Sequence, residues 1–162
     1  MAEKLTVAQI IVNLFKDAFG DQFKLYRVGD PIKPGQSELP AIFVTDQNVD
    51  FEQDATGYDK LTHHLLVQLV FNKKDEMGAP VDGNTLDTII DNYMFGRDAS
   101  TNAYLANSIM GVLRSNLTLG GVTVETLGSV RKGVVPRPEE MLTVEGHVEI
   151  TASELQPVNN RS

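Results

Sequence analysis

The sequence contains no cysteine, which excludes both a disulfide framework and a zinc-thiolate site. Its first residues, Met1 to Gln9, lack the cationic start and apolar block of a secretory signal, and no apolar run reaches the roughly 20 residues needed to span a bilayer. We therefore expect a soluble chain made in a reducing cytosol. Excess positive charge is missing too: the net charge is −8, with 12 acids and 8 bases in Met1 to Val81 and 10 acids and 6 bases in Asp82 to Ser162. Tight sequence-specific binding of nucleic acid draws mostly on neutralised phosphates, so it is not expected. The motifs GxSxG, HExxH, the P-loop and the glycine-rich dinucleotide fingerprint do not occur.

What the sequence does have is strand pattern. With 162 residues, 41% of them hydrophobic, it can bury one core, and we read a single domain over residues 1–155 with a flexible C-terminal tail at 156–162. The central stretch is Lys60 to Asn72. Leu61, His63, Leu65, Val67, Leu69 and Phe71 fall on one face; Thr62, His64, Leu66, Gln68, Val70 and Asn72 fall on the other. At ~3.3 Å per residue this run would reach about 43 Å, well past the typical strand of about five or six residues. A strand that long either bends over a core or projects beyond it.

Around it the chain alternates strand and helix signals. Thr6 and Gln9 form a capping-box signature, followed by a helical stripe of Val7, Ile10, Ile11, Leu14, Phe15 and Ala18 that Gly20 should end. Phe23 to Val28 reads as a short strand, Pro31 to Gly35 as a break, and Leu39 to Thr45 as a strand with Pro40 at an edge or bulge. Asp46 to Asp59 is too polar for a core and reads as an extended hairpin or loop: an arm that pairs with another chain, or simply a mobile loop. After a polar turn region at Lys73 to Gly83, Asn84 or Thr85 should cap a helix carrying Leu86, Ile89, Ile90, Tyr93 and Met94, ended by Gly96. A further helix is expected from Thr101 to about Asn116, with Gly111 as its weak point. Gly120 and Gly121 open the closing strands: one from Val122, one over Val130 to Val135, and one over Met141 to Ala152. The order predicts an α+β fold, a mainly antiparallel β-sheet with helices packed on one face.

Candidate chemistry is sparse. His63 and His64 are adjacent in a strand, so they point to opposite faces and cannot share one ion. Glu145, His147 and Glu149 share one face, which could hold a cation or support acid-base work; a solvated polar face is the plainer reading. The acids Asp46, Asp50, Glu52, Asp54 and Asp59 lack the calcium-loop spacing of an EF-hand. Against them stands the densest basic cluster, Arg131, Lys132 and Arg137.

Taken together, the capped first helix, ELPAIFVTDQ, DKLTHHLLVQLVFN, TLDTIIDNYM and VRKGVVPRPEEMLTVEGHVEI resemble the tail terminator, or tail-completion, proteins of long-tailed bacteriophages. The likeness runs from about Thr6 to Ile150 and lies in layout more than in a fixed motif. Asp46 to Asp59 and Asp98 to Thr101 make this chain longer than the shortest relatives. The resemblance implies a structural virion protein, not an enzyme, with no cofactor and no metal. It implies a homohexameric ring on the last ring of tail-tube protein that stops tube growth and offers the surface joined by a head-completion or neck protein. DNA would pass through without specific binding, no membrane would be involved, and the protein would reside at the head-proximal end of the tail after assembly in the host cytoplasm. A ring needs a heterologous contact. The acidic set Asp46, Asp50, Glu52, Asp54, Asp59 and the basic set Arg131, Lys132, Arg137 are the expected interface residues, on opposite sides of that contact or on the tube-facing surface. Another neck or tail-tube component is the alternative, followed by a cytosolic small-molecule binding domain or enzyme.

Overall fold

A computed structural model describes residues 5–29, 38–55, 57–72, 86–115, 118–119, 122–138 and 141–157. The breaker at Pro31 to Gly35, the turn region from Lys73 to Gly83, the cap at Asn84 or Thr85 and the Gly120-Gly121 pair lie outside them.

The first helix, α1 (Val7–Phe19), starts where the sequence signals it. Thr6 Oγ1 accepts from the Gln9 backbone N–H at 3.2 Å, while the Gln9 side chain donates to Asn13 Oδ1 and leaves the box half made. Gly20, at φ 52°, ends the helix, its N–H donating to Lys16 O; only glycine takes this conformation readily. The buried stripe is Val7, Ala8, Ile11, Val12, Phe15 and Phe19. Burying each large side chain of this kind contributes about 1.5–3 kcal/mol, which fixes α1 on the sheet.

The strands are β1 (Leu25–Val28), β2 (Ala41–Ala55), β3 (Tyr58–Asn72), β4 (Thr118–Leu119), β5 (Val122–Arg137) and β6 (Met141–Pro157). They form one six-stranded sheet in the order β1-β2-β3-β6-β5-β4. β1 pairs parallel to β2 and every other pair is antiparallel. The chain is thus an α+β protein. Ile42 and Val44, Leu65 to Phe71 at alternate positions, and Val144, Val148, Ile150 and Ala152 face the helices in the main core. A second, smaller apolar cluster, Leu39, Ala41, Phe43 and Val70 with Leu25 against it, lies on the other face.

Two further helices complete the layer, α2 (Leu86–Phe95) and α3 (Ile109–Ser115). α2 seats Ile90 and Met94, both fully buried, on the sheet. Gly146 makes that approach possible: a Cβ there would stand 2.6 Å from Ile90 Cγ2 and 3.0 Å from Met94 Cε.

Four expectations need correction. The helix expected from Thr101 begins only at Ile109, because Asp98 Oδ1 accepts from the backbone N–H groups of Ser100 and Thr101 and holds a turn there instead. Ser108 Oγ then caps α3 by accepting from the Gly111 N–H at 3.0 Å. The expected strands at Val122 and Val130 are one strand, kept continuous by irregularities at Val124/Thr126 and Leu127/Val130 that absorb the break in alternation. β1 begins at Leu25, since Phe23 joins an aromatic cluster with Phe19, Phe71 and Tyr93. Finally, Gln156 and Pro157, placed in the tail by sequence, continue β6 opposite Asp59 and Tyr58. Residues 158–162 lie outside the described residues.

Candidate assembly interface

The acidic stretch is strand, not loop. β2 runs unbroken through it to Ala55, Gly57 turns the chain at φ 89°, and β3 returns from Tyr58. Ala41 to Val44 are buried and Asp46 to Gln53 exposed, so the hairpin leaves the core as an arm, with β6 as its third strand through Pro157. Phe51, 75% exposed, lies on this arm with the exposed Val49, Tyr58 and Leu155.

The root of the arm is tied by histidine–carboxylate hydrogen bonds. His63, 8% exposed, faces Asp46 Oδ2 through Nδ1 at 2.7 Å and Glu154 Oε1 through Nε2 at 3.2 Å. This joins β2, β3 and β6 on the helix side. His64 reaches Asp50 Oδ2 through Nε2 at 2.8 Å on the opposite side. The histidines do part to opposite faces, as strand alternation requires. Asp46 and Asp50 thus have partners within the chain. Glu52 is exposed and makes no ion pair among the described residues, and neither does the half-buried Asp59. Asp54 lies in β2 near the tip. Sequence reading missed Glu154 because it placed the end of β6 too early; the alternation Val148, Ile150, Ala152 extended by one step would have put Glu154 beside His63.

The basic set divides between the two faces of β5. Lys132 lies on the helix side, where Nζ donates to Asp91 Oδ1 of α2 at 2.6 Å. Arg137 lies on the other side and holds Glu145, Nη2 donating to Oε1 at 2.6 Å and Nε to Oε2 at 2.9 Å. Arg131, opposite His147 in the register, is exposed and makes no ion pair among the described residues.

Glu145 is 1% exposed. Besides Arg137 it accepts from Thr143 Oγ1 and meets His147 Nε2 at 2.8 Å, with the Gln68 amide 3.2 Å from that same nitrogen. Burial pushes its pKa up, but the hydrogen bonds from His147, Arg137 and Thr143 outweigh burial and hold it below the ordinary glutamate value. The Glu145, His147, Glu149 row is therefore not an open carboxylate site: a cation there would have to displace the guanidinium. The adjoining hollow between Leu66, Arg131, His147 and Glu149 has about 170 Å³, below the roughly 300 Å³ at which small-molecule sites begin.

The two borders of the sheet are open in different places. β1 covers β2 only along Ala41 to Val44. β4 covers β5 only at Val122 and Thr123. Among the described residues the outer edges of β2 beyond Thr45 and of β5 beyond Val124 have no neighbouring strand. Each offers a row of backbone donors and acceptors, the template on which a further strand adds.

Compared with known proteins, the chain matches no family model and no curated protein. No helix among the described residues is long and apolar enough to cross a membrane.

Proposed function

We propose that this protein is a structural component of a long-tailed phage: it forms a ring that caps the tail tube, ends its polymerisation and offers the surface to which the head-proximal proteins attach. The observation that carries this reading is the pair of long strand edges, open among the described residues, on opposite borders of one sheet. Different surfaces at the two sides of a subunit are what a head-to-tail contact requires, and such contacts close into rings when the rotation permits. The sequence layout supports the phage assignment, and the net charge of −8 suits a channel whose walls should repel DNA phosphates.

The test is electron microscopy of the protein mixed with its cognate tail-tube subunit. Single collars at one end of tubes that have stopped growing are the expected result. Long tubes made of this protein itself would assign it to the tube or neck instead. Unaltered tube growth with no bound collar would overturn the reading.

A further inference from the structure

Resting on that ring reading, we infer that neighbouring copies join edge to edge: the outer edge of β2 around Asp50 in one copy adds antiparallel to the outer edge of β5 around Gly133 in the next, setting Glu52 beside Arg131. Direction comes first. β2, β3, β6 and β5 are successively antiparallel, so β2 and β5 run opposite ways. Copies related by rotation keep that relation, and the junction is antiparallel, the commoner sense of strand pairing.

Level comes next. Through the ladder, Val44 is level with Val67, Val148 and Val130. The part of β2 already covered by β1, Ala41 to Val44, is therefore level with Val130 to Gly133 of β5, with β3 and β6 between them. A neighbour placed without stagger would bring β1, not β2, against β5. Moving it along the strands by about eight ladder positions, ~27 Å at ~3.4 Å per residue, is the shortest shift that takes β1 past the end of β5 and keeps the faces matched. That shift also leaves β4 beyond the tip of the neighbour's arm. A sheet six strands wide, ~29 Å across, climbs by a similar amount when its strands tilt about 35–45° to a ring axis, as in closed barrels.

Charge then agrees with position. Asp50 is level with Thr62 and Ser153, and Glu52 with Lys60 and Leu155; eight positions on, the ladder reaches Glu145 and His147, opposite Gly133 and Arg131. Glu52 thus meets Arg131 on the polar face, and neither makes an ion pair within the described residues. Gly133 has open space where a Cβ would stand.

The absence of native cysteine makes disulfide trapping clean. In the double variant D50C/G133C, oxidised alone and on tubes of the cognate subunit, non-reducing electrophoresis should show a ladder that ends at the closed ring. Neither single variant should cross-link. A two-fold dimer of D50C alone would overturn the proposal, because it would mean β2 pairs with itself. Collars on tube ends without cross-linking would also overturn it and leave the collar reading standing. A ladder from protein that fails to cap tubes would support the edge contact and reject the collar.

Discussion

Arg137 grips Glu145 in a two-pronged contact, 2.6 Å and 2.9 Å, beside the β5–β6 connection and with the carboxylate out of reach of solvent. Removing one partner of a buried pair leaves the other charge without compensation, at a cost of about 3–5 kcal/mol. R137A should therefore lose that much stability in urea unfolding. R137M/E145M, which removes both charges, should recover most of it. Equal stability of R137A and wild type would mean that the pair adds nothing to the fold.

The same carboxylate makes stability depend on acid pH. Its folded-state pKa lies below the ordinary value, so between the two values the unfolded chain binds the extra proton and stability rises with pH. The contribution is fully present above about pH 4.3, the unperturbed glutamate value, and is lost as pH falls through the lower folded value. Denaturant midpoints measured across that acid range should fall more steeply for wild type than for E145Q.

At the alkaline end the relevant group is Tyr26, whose hydroxyl donates to Gly20 O at 2.7 Å. Burial, then Tyr93 nearby, push its pKa up to about 12. A raised folded value means stability is intact below the ordinary tyrosine pKa of about 10 and is lost as pH climbs toward 12. Y26F should lessen the loss of stability over that interval, and phenolate absorbance of wild type should show one tyrosine titrating late that the variant lacks.

Gly146 should tolerate no side chain. A methyl group there would meet Ile90 Cγ2 at 2.6 Å, and overpacking of this kind costs about 1–3 kcal/mol. G146A should lower the thermal midpoint, whereas G133A, with nothing within 4 Å of its Cβ position, should leave it within error. Equal effects would mean that α2 does not press on β6 at Gly146.

How legible this molecule is from sequence depends on which interaction dominates locally. Where burial on one side sets the pattern, as along β3 and α1, alternation or helical spacing locates the element to within a few residues. Where local hydrogen bonding competes, the pattern misleads: the Asp98 turn interrupts the helical stripe before Ile109, and irregular pairing in β5 scrambles its alternation. The arm from Asp46 to Ala55 was least legible, because it has ladder partners but little core burial, and composition registers burial more readily than pairing. The charged clusters were visible as runs, but a run does not tell which members pair internally. Lys132 and Arg137 are committed to Asp91 and Glu145, and only three-dimensional register separates them from Arg131.

That separation determines how charge reversal should read. R131E alters an exposed side chain without an ion pair among the described residues, so monomer stability should change by no more than about 0.5 kcal/mol. Assembly should nevertheless weaken, because the new carboxylate would face Glu52 of the next copy. The defect should shrink as salt rises, since the repulsion between exposed charges decays over a screening length that is about 10 Å at 0.1 M and shortens to about 3 Å at 1 M. R137E should instead damage the fold itself, setting two carboxylates together at a buried site, and salt should not rescue it. The pair is to be compared by native sizing, tube capping and thermal melting over a range of ionic strength. If R131E assembles like wild type at low salt, Arg131 takes no part in the contact; if it melts like R137E, its role lies in the fold.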